Sequence, residues 1–339
     1  MLHITNGDLT AKLLRCANMP GIVLPWKDIL HEGPVPGNLS LNELSVTRAK
    51  FIAGNGWGNY RTVQRDFNKR DNLLTHFKEH EEVIFWFDDD LYDQLQLLQL
   101  FGWFRGKNLR QTKLSNATIP RDMKPTDFKL IGQFYRSRID VTPEQLETGY
   151  QAWSAFTASE PGGMEDLLGA DTSAMSFLKD AILRLLKQFP SASNGLSCTE
   201  RHILEIVLAG RNNPDEIFSG AQSKEPRPFM GDLPFWSYVQ NLTIGARPLL
   251  KTSNDQPFRN PSELPNGNGY GKQRVYITPL GIEVLRGQAD WIEINGINRW
   301  IGGIHLTKER FWRWNENSGK LIRDGKAVLS EGQNLSSPR

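Results

Sequence analysis

Glu82-Val83-Ile84-Phe85-Trp86-Phe87-Asp88-Asp89-Asp90-Leu91-Tyr92-Asp93-Gln94 carries the clearest strand-to-helix signal in the chain. Its first six residues are nearly apolar on both faces of an extended chain, as a central parallel strand should be. A polar cluster follows at once, and Leu91 then opens a helix predicted to run to about Phe101. The same order stands at the N-terminus. Met1-Leu2-His3-Ile4-Thr5 reads as a strand, Asn6-Gly7-Asp8 as a polar turn, and Asp8 as the cap of a helix through about Ala17. If both strands are parallel members of one sheet, the two clusters meet at its carboxyl edge, where open α/β sheets place their sites.

Gly21 to Pro25 reads as a second short strand. Leu30-His31-Glu32-Gly33-Pro34-Val35-Pro36 is a loop, because two prolines and a glycine forbid regular pairing. Helical patterns cover Ser40 to Ala53 and Asn59 to Glu79, and Lys129 to Ile139 reads as a last strand or edge element. This alternation predicts a layered α/β domain over residues 1–140, mostly parallel and Rossmann-like, with right-handed crossovers.

Residues 141–192 read as a helical connector, starting at Pro143 and broken at Ser159-Glu160-Pro161-Gly162-Gly163. From 193 to 330 the pattern is that of a winged-helix-like α+β domain. A helix opens at the capping box Ser197-Cys198-Thr199-Glu200, further helices cover 214–221 and 232–242, and strands at Leu249-Leu250 and Arg274 to Ile277 flank a long loop. Thr278 to Leu285 reads as one more helix. Asp290 to Ile294 and Arg299 to Ile301 read as a hairpin about Asn295-Gly296, and Glu331 to Arg339 as a disordered tail.

The chain has 339 residues, enough for about two domains, with 39% hydrophobic and 23% charged residues. Forty basic and 38 acidic residues leave a net charge of +2, too balanced to imply nucleic-acid binding by itself. Cys16 and Cys198 are its 2 cysteines, too few for a disulfide framework or a cysteine zinc site, and both are expected to be reduced, buried small hydrophobes. No leader pattern and no run of membrane-spanning length is visible, so a cytoplasmic protein without membrane contact is expected.

Three successive aspartates at a strand end raise one another's pKa and want a cation or a bound partner. One reading is a Mg²⁺-assisted site, or carboxylates gripping ribose or sugar hydroxyls, with Asp88 and Asp90 as the inward pair and metal ligands, joined by Asp93 and Gln94. The other is helix capping, with Asp90 as N-cap and Asp88 and Asp89 in solvent. At the first cluster a helix N-terminus offers N–H groups to an anion and Gly7 allows close approach. An ordinary Asn-Gly turn explains the same residues equally well, and one glycine is not a dinucleotide fingerprint.

His3 falls on the same strand face as Thr5, where it is either a core residue or part of the site. His31 and Glu32, in a rigid loop, could be held over it. Arg48, Arg65 and Arg70 could meet phosphate or carboxylate bidentately, or else face solvent or pair with buried acids. No nucleophile elbow, zinc-protease pair or Cys-x-x-Cys is present. The candidate recognition helix, Asp232 to Leu242, offers only Gln240 and Asn241 to base edges, which disfavours DNA reading. Trp300, Trp312 and Trp314, with Arg299 and Arg313 between them, fit a stacking surface or a small-domain core.

Several of these stretches resemble a bacterial family catalogued as domain of unknown function 1835. They are His3 to Asp8, Leu30 to Pro36, Leu44-Ser45 with Arg48-Ala49, and Trp86-Phe87 with Asp90 to Leu95, within about the first 140 residues. Phe189-Pro190 with Asn194-Gly195-Leu196, and Phe229 to Asp232 with Phe235-Trp236, resemble segments that accompany it in longer members. The resemblance implies a shared architecture and polar site, and brings no activity.

Two expectations follow. In the first, a small phosphorylated or nucleotide-like ligand binds at the strand edge, with or without a divalent cation. Asn6, Gly7 and Asp8 hold its anion or hydroxyls, Asp88, Asp90 and Asp93 bind metal or act as base, and His31 and Glu32 close over the top. In the second, the chain is a regulatory adaptor whose winged-helix-like part binds a protein partner or, less favoured, DNA.

Overall fold

The computed structural model describes residues 1–119, 123–264 and 269–324; the tail expected at Glu331 to Arg339 lies outside the described residues. β1 (Leu2–Thr5) leads through α1 (Asp8–Cys16), β2 (Ile22–Pro25), α2 (Leu41–Gly54) and α3 (Tyr60–Thr75) to β3 (Glu82–Trp86). Then come α4 (Leu91–Phe104), β4 (Lys113–Asn116), α5 (Ile131–Arg136) and β5 (Ile139–Asp140). The five strands make one sheet in the order β2-β1-β3-β4-β5, parallel except for β5. β1 and β3 are therefore neighbours, with Leu2 opposite Val83 and Thr5 opposite Trp86. The chain steps one way from β1 to β2 and then crosses back to β3, so the gap between the ends of β1 and β3 is a topological switch point.

Apolar residues on both faces of β3 are satisfied because both faces are covered. Val83 and Phe85, with Leu2 and Ile4, join Leu95, Leu98 and Phe101 of α4 on one side. Ile84 and Trp86 meet Leu13 and Leu14 of α1 and Ile131 of α5 on the other. α6 (Pro143–Thr157) packs along α4. The approach is close enough that a Cβ at Gly149 would lie 2.6 Å from that of Phe101.

The remaining elements are α7 (Gly162–Gly169), α8 (Leu178–Leu186), α9 (Cys198–Leu208), α10 (Pro214–Gln222), α11 (Asp232–Thr243), β6 (Leu250–Thr252) and β7 (Val275–Ile277). After them come α12 (Pro279–Leu285), α13 (Trp291–Asn295), β8 (Arg299–Ile301), β9 (Ile304–Leu306), β10 (Phe311–Asn315) and β11 (Lys320–Asp324). β6 pairs with β7, β8 with β9 and β10 with β11, each antiparallel. Trp312 and Trp314 are buried in the apolar core. No helix among the described residues is long and apolar enough to cross a membrane.

Four expectations need correction. The hairpin about Asn295-Gly296 does not form: Asp290 accepts hydrogen bonds from Ile292 and Glu293 N–H, capping α13, and Gly296, at φ 72°, ends that helix. Arg299 to Ile301 pairs instead with Ile304 to Leu306, across Gly302-Gly303. Lys129 to Ile139 is mostly helical, because Ile131, Phe134 and Tyr135 recur at helical spacing and pack together beneath the sheet; only Ile139 and Asp140 are strand. Asp8 does not cap α1 and stands inside its first turn, exposed and 3.1 Å from Lys27. Neither cysteine is fully buried: Cys16 is exposed and Cys198 partly so.

Candidate functional site

β1 and β3 end side by side, so the polar clusters that follow them share one pocket of about 260 Å³, lined by Asn6, Gly7, Asp8, Asp88, Asp90, Tyr92 and Asp93 among others. The Asn6 amide donates to both carboxylate oxygens of Asp93, at 2.9 and 3.0 Å, and its own oxygen accepts from Thr10 at 2.9 Å. Asp93, fully buried, also accepts the Asp88 N–H at 2.5 Å, while Asp90 caps α4 by accepting the Asp93 N–H at 3.0 Å. Burial, and then the neighbouring Asp90 carboxylate, push the Asp93 carboxyl well above the usual range against these hydrogen bonds.

The three successive aspartates part company. Asp88 and Asp90 line this pocket, whereas Asp89 turns to Arg227, at 2.7 Å, beside a different cavity. The N-termini of α1 and α4 both open onto the pocket, and their partial positive charge offsets part of the carboxylate charge. Trp86, Phe87, Ile119 and Met123 complete an apolar wall.

Three of the sequence-selected residues stand behind the site. Thr5 donates to Gly7 O and holds the turn, and Gln94 donates to Asp88 O at 2.7 Å. His3 is a buried core residue, with Nε2 3.0 Å from Pro20 O and Nδ1 accepting from Trp86 Nε1; burial lowers its pKa.

His31 and Glu32 do not close over the pocket. His31 is buried between Tyr92 and Phe229, with no hydrogen-bond partner for either ring nitrogen among the described residues. Glu32 belongs to a separate cavity of about 460 Å³, lined also by Trp57, Gln188, Tyr238, Arg299 and Trp300. There Tyr238 donates to its carboxylate at 2.5 Å, and Arg299 contacts both. Burial raises the Glu32 pKa, with Arg299 and the Tyr238 hydroxyl opposing.

Arg48 does not face a ligand. It is fully buried and staples the proline-bounded loop, donating to Asp28 (2.9 Å) and to the carbonyls of Ile29 (2.7 Å), Glu32 (2.7 Å) and Pro34 (3.2 Å). Arg70 pairs with Asp71 and Ser45 beneath Trp26, and Arg65 is exposed beside Asp66.

Sequence reading missed the part of the apolar wall made by Ile119 and Met123, because they follow β4, a short strand whose single large apolar residue, Leu114, gives it no clear pattern. It also missed Cys198, His202 and Glu225, whose ligating atoms lie within 4.8 Å of one another. The Cys-x-x-x-His spacing on a helix was the available signal. No family model matches the chain, and no curated protein matches it.

Proposed function

We propose that the switch-point pocket binds a small phosphorylated or nucleotide-like ligand, Asn6, Gly7 and the first turn of α1 receiving its anionic or hydroxyl groups. Asp88 and Asp90 are the residues that would hold a divalent cation, such as Mg²⁺, against it. Asp93, fully buried behind them, accepts from Asn6 and from the Asp88 N–H and so holds the two turns together. One observation carries this reading: two acid-bearing turns 80 residues apart in sequence share one pocket at the switch point of a mostly parallel sheet. The resemblance of about residues 1–140 to family 1835 fits a common polar site there, in a Rossmann-like domain of a cytoplasmic protein.

The test is a thermal-shift screen of nucleotides, sugar phosphates and coenzymes, with and without Mg²⁺, on the parent and on Asp90→Asn. Asparagine is as good an N-cap as aspartate, so the variant removes charge and keeps the helix start. A ligand at one hundred times its dissociation constant stabilises the parent by about 2.7 kcal/mol. Loss of that response in the variant supports the reading, and equal responses reject it.

The second reading is an adaptor. The run of α9, α10 and α11 followed by the β6–β7 pair supports a winged-helix-like part. α11 buries Phe235, Trp236, Val239 and Leu242, and its Gln240 is held by Glu263, which favours a protein partner over a DNA groove.

A further inference from the structure

We propose that Cys198, His202 and Glu225 form a thiol nucleophile site, separate from the switch-point pocket, that takes up an acyl group from a small anionic carbonyl compound. It stands independently of the ligand reading above. Cys198 is the first residue of α9 and His202 lies one turn later on the same face. Cys198 Sγ is 3.6 Å from His202 Nε2, and Glu225 Oε1 is 3.4 Å from His202 Nδ1. Nucleophile, base and orienting carboxylate thus stand in the order such catalysis needs. Arg184 fixes the carboxylate with two hydrogen bonds, at 2.6 and 2.8 Å, and the three residues line a cavity of about 390 Å³.

The same three side chains could be read as a metal site, but the geometry favours the relay. Thiol and carboxylate address opposite nitrogens of the imidazole, whereas one ion takes one nitrogen. A guanidinium already sits on the carboxylate.

The charged groups around the cavity are Asp180 and Arg184 from α8 with Lys187 just after it, Lys224, Glu225 and Arg227 from the segment after α10, and Asp89 from the loop after β3. Burial opposes the His202 charge, yet the thiol and Glu225 push its pKa up to about 9. Burial likewise opposes the Cys198 thiolate, but His202 and Arg184 lower its pKa overall. His202 and Arg184 thus both favour the thiolate form of Cys198, with the imidazole placed to take the thiol proton. The first N–H groups of α9 are engaged, that of Cys198 by Lys187 O and that of Thr199 by Gln188. Negative charge on a substrate is therefore met by side chains, among which Lys187 is in no ion pair among the described residues.

In the reaction, the Cys198 sulfur forms a bond to the carbonyl carbon of an ester or thioester. The bond to the leaving oxygen or sulfur breaks, and His202 Nε2 passes its proton to that leaving group. Water then adds to the new thioester with His202 taking its proton, the carbon–sulfur bond breaks, and acid and thiol are released.

The test uses the full chain carrying Cys16→Ser, so that Cys198 is the sole thiol. Alkylation by iodoacetamide and iodoacetate is followed by intact mass from pH 5 to 9. The rate should persist below pH 7, where an ordinary thiol of pKa about 8.5 is only a few per cent ionised. His202→Asn should slow it about tenfold at pH 6.5, and Lys187→Ala should remove a preference for iodoacetate. p-Nitrophenyl acetate, quenched in acid within the first turnover, should leave one acetyl group on Cys198. An ordinary thiol profile, absence of the acetyl adduct, or Zn²⁺ retained through dialysis and blocking alkylation would each overturn the proposal. If His202→Asn does not fold, the profile of the Cys16→Ser chain still decides.

Discussion

His31 shows how a single side chain can tie stability to pH. Burial, and then the charges of Arg48, Arg184 and Arg299, hold its pKa down at about 3, against an ordinary value of 6.5. The unfolded chain takes up a proton near pH 6.5, whereas the folded chain resists until about pH 3. Stability is therefore lost as pH falls through that window, by up to about 1.4 kcal/mol per pH unit. His31→Phe keeps the ring between Tyr92 and Phe229 and removes the proton site. Urea unfolding should show the parent weakening relative to the variant from pH 6 to 5, with a constant difference above pH 7.5. Equal pH slopes would reject this account. At this scale the sequence revealed which residues were polar and where a strand delivered them. It did not reveal their partners: the Asn6–Asp93 bond and the Arg48 staple are made across folded distance, and no local pattern encodes them.

At the scale of elements, the Gly302-Gly303 turn between β8 and β9 is docked onto the C-terminal end of α6. Gly303 N–H donates to Phe156 O at 3.0 Å, Gly37 N–H to Thr157 O at 2.8 Å, and Val35 N–H to Gly302 O at 2.8 Å. A Cβ on residue 303 would lie 1.9 Å from Thr157 O, a backbone atom that cannot step aside. Gly303→Ala should cost about 3 kcal/mol in denaturant unfolding. Gly169→Ala, with open space around it in α7, should cost nothing; a near-neutral Gly303→Ala would show that the turn is not seated there. Helices with caps were legible because Ser197 and Thr278 each supply a local hydrogen bond that the sequence spells out. β4 and the β8–β9 pair were not legible, since short strands with one or two apolar residues gain their identity from the neighbour they pair with.

For the whole molecule, the apolar interior runs without a break from Leu2 to Trp314, although composition along the chain suggests separable parts. Arg299 is central to that union, reaching Glu32 of the proline-bounded loop and Tyr238 of α11. Arg299→Met leaves the buried Glu32 without its cation and should destabilise the fold by about 3–5 kcal/mol. Far-UV circular dichroism and tryptophan fluorescence should still fall in one coincident transition. Two separated transitions in the parent would instead show parts that melt independently. The Glu32–Arg299 pair also spans 267 residues. At 5 to 20 residues per second, a nascent chain on the ribosome presents the His31-Glu32 loop roughly 15 to 50 s before its clasp exists. During that interval the loop stands without its partner, and slowing translation after residue 200 should lengthen its exposure to proteases.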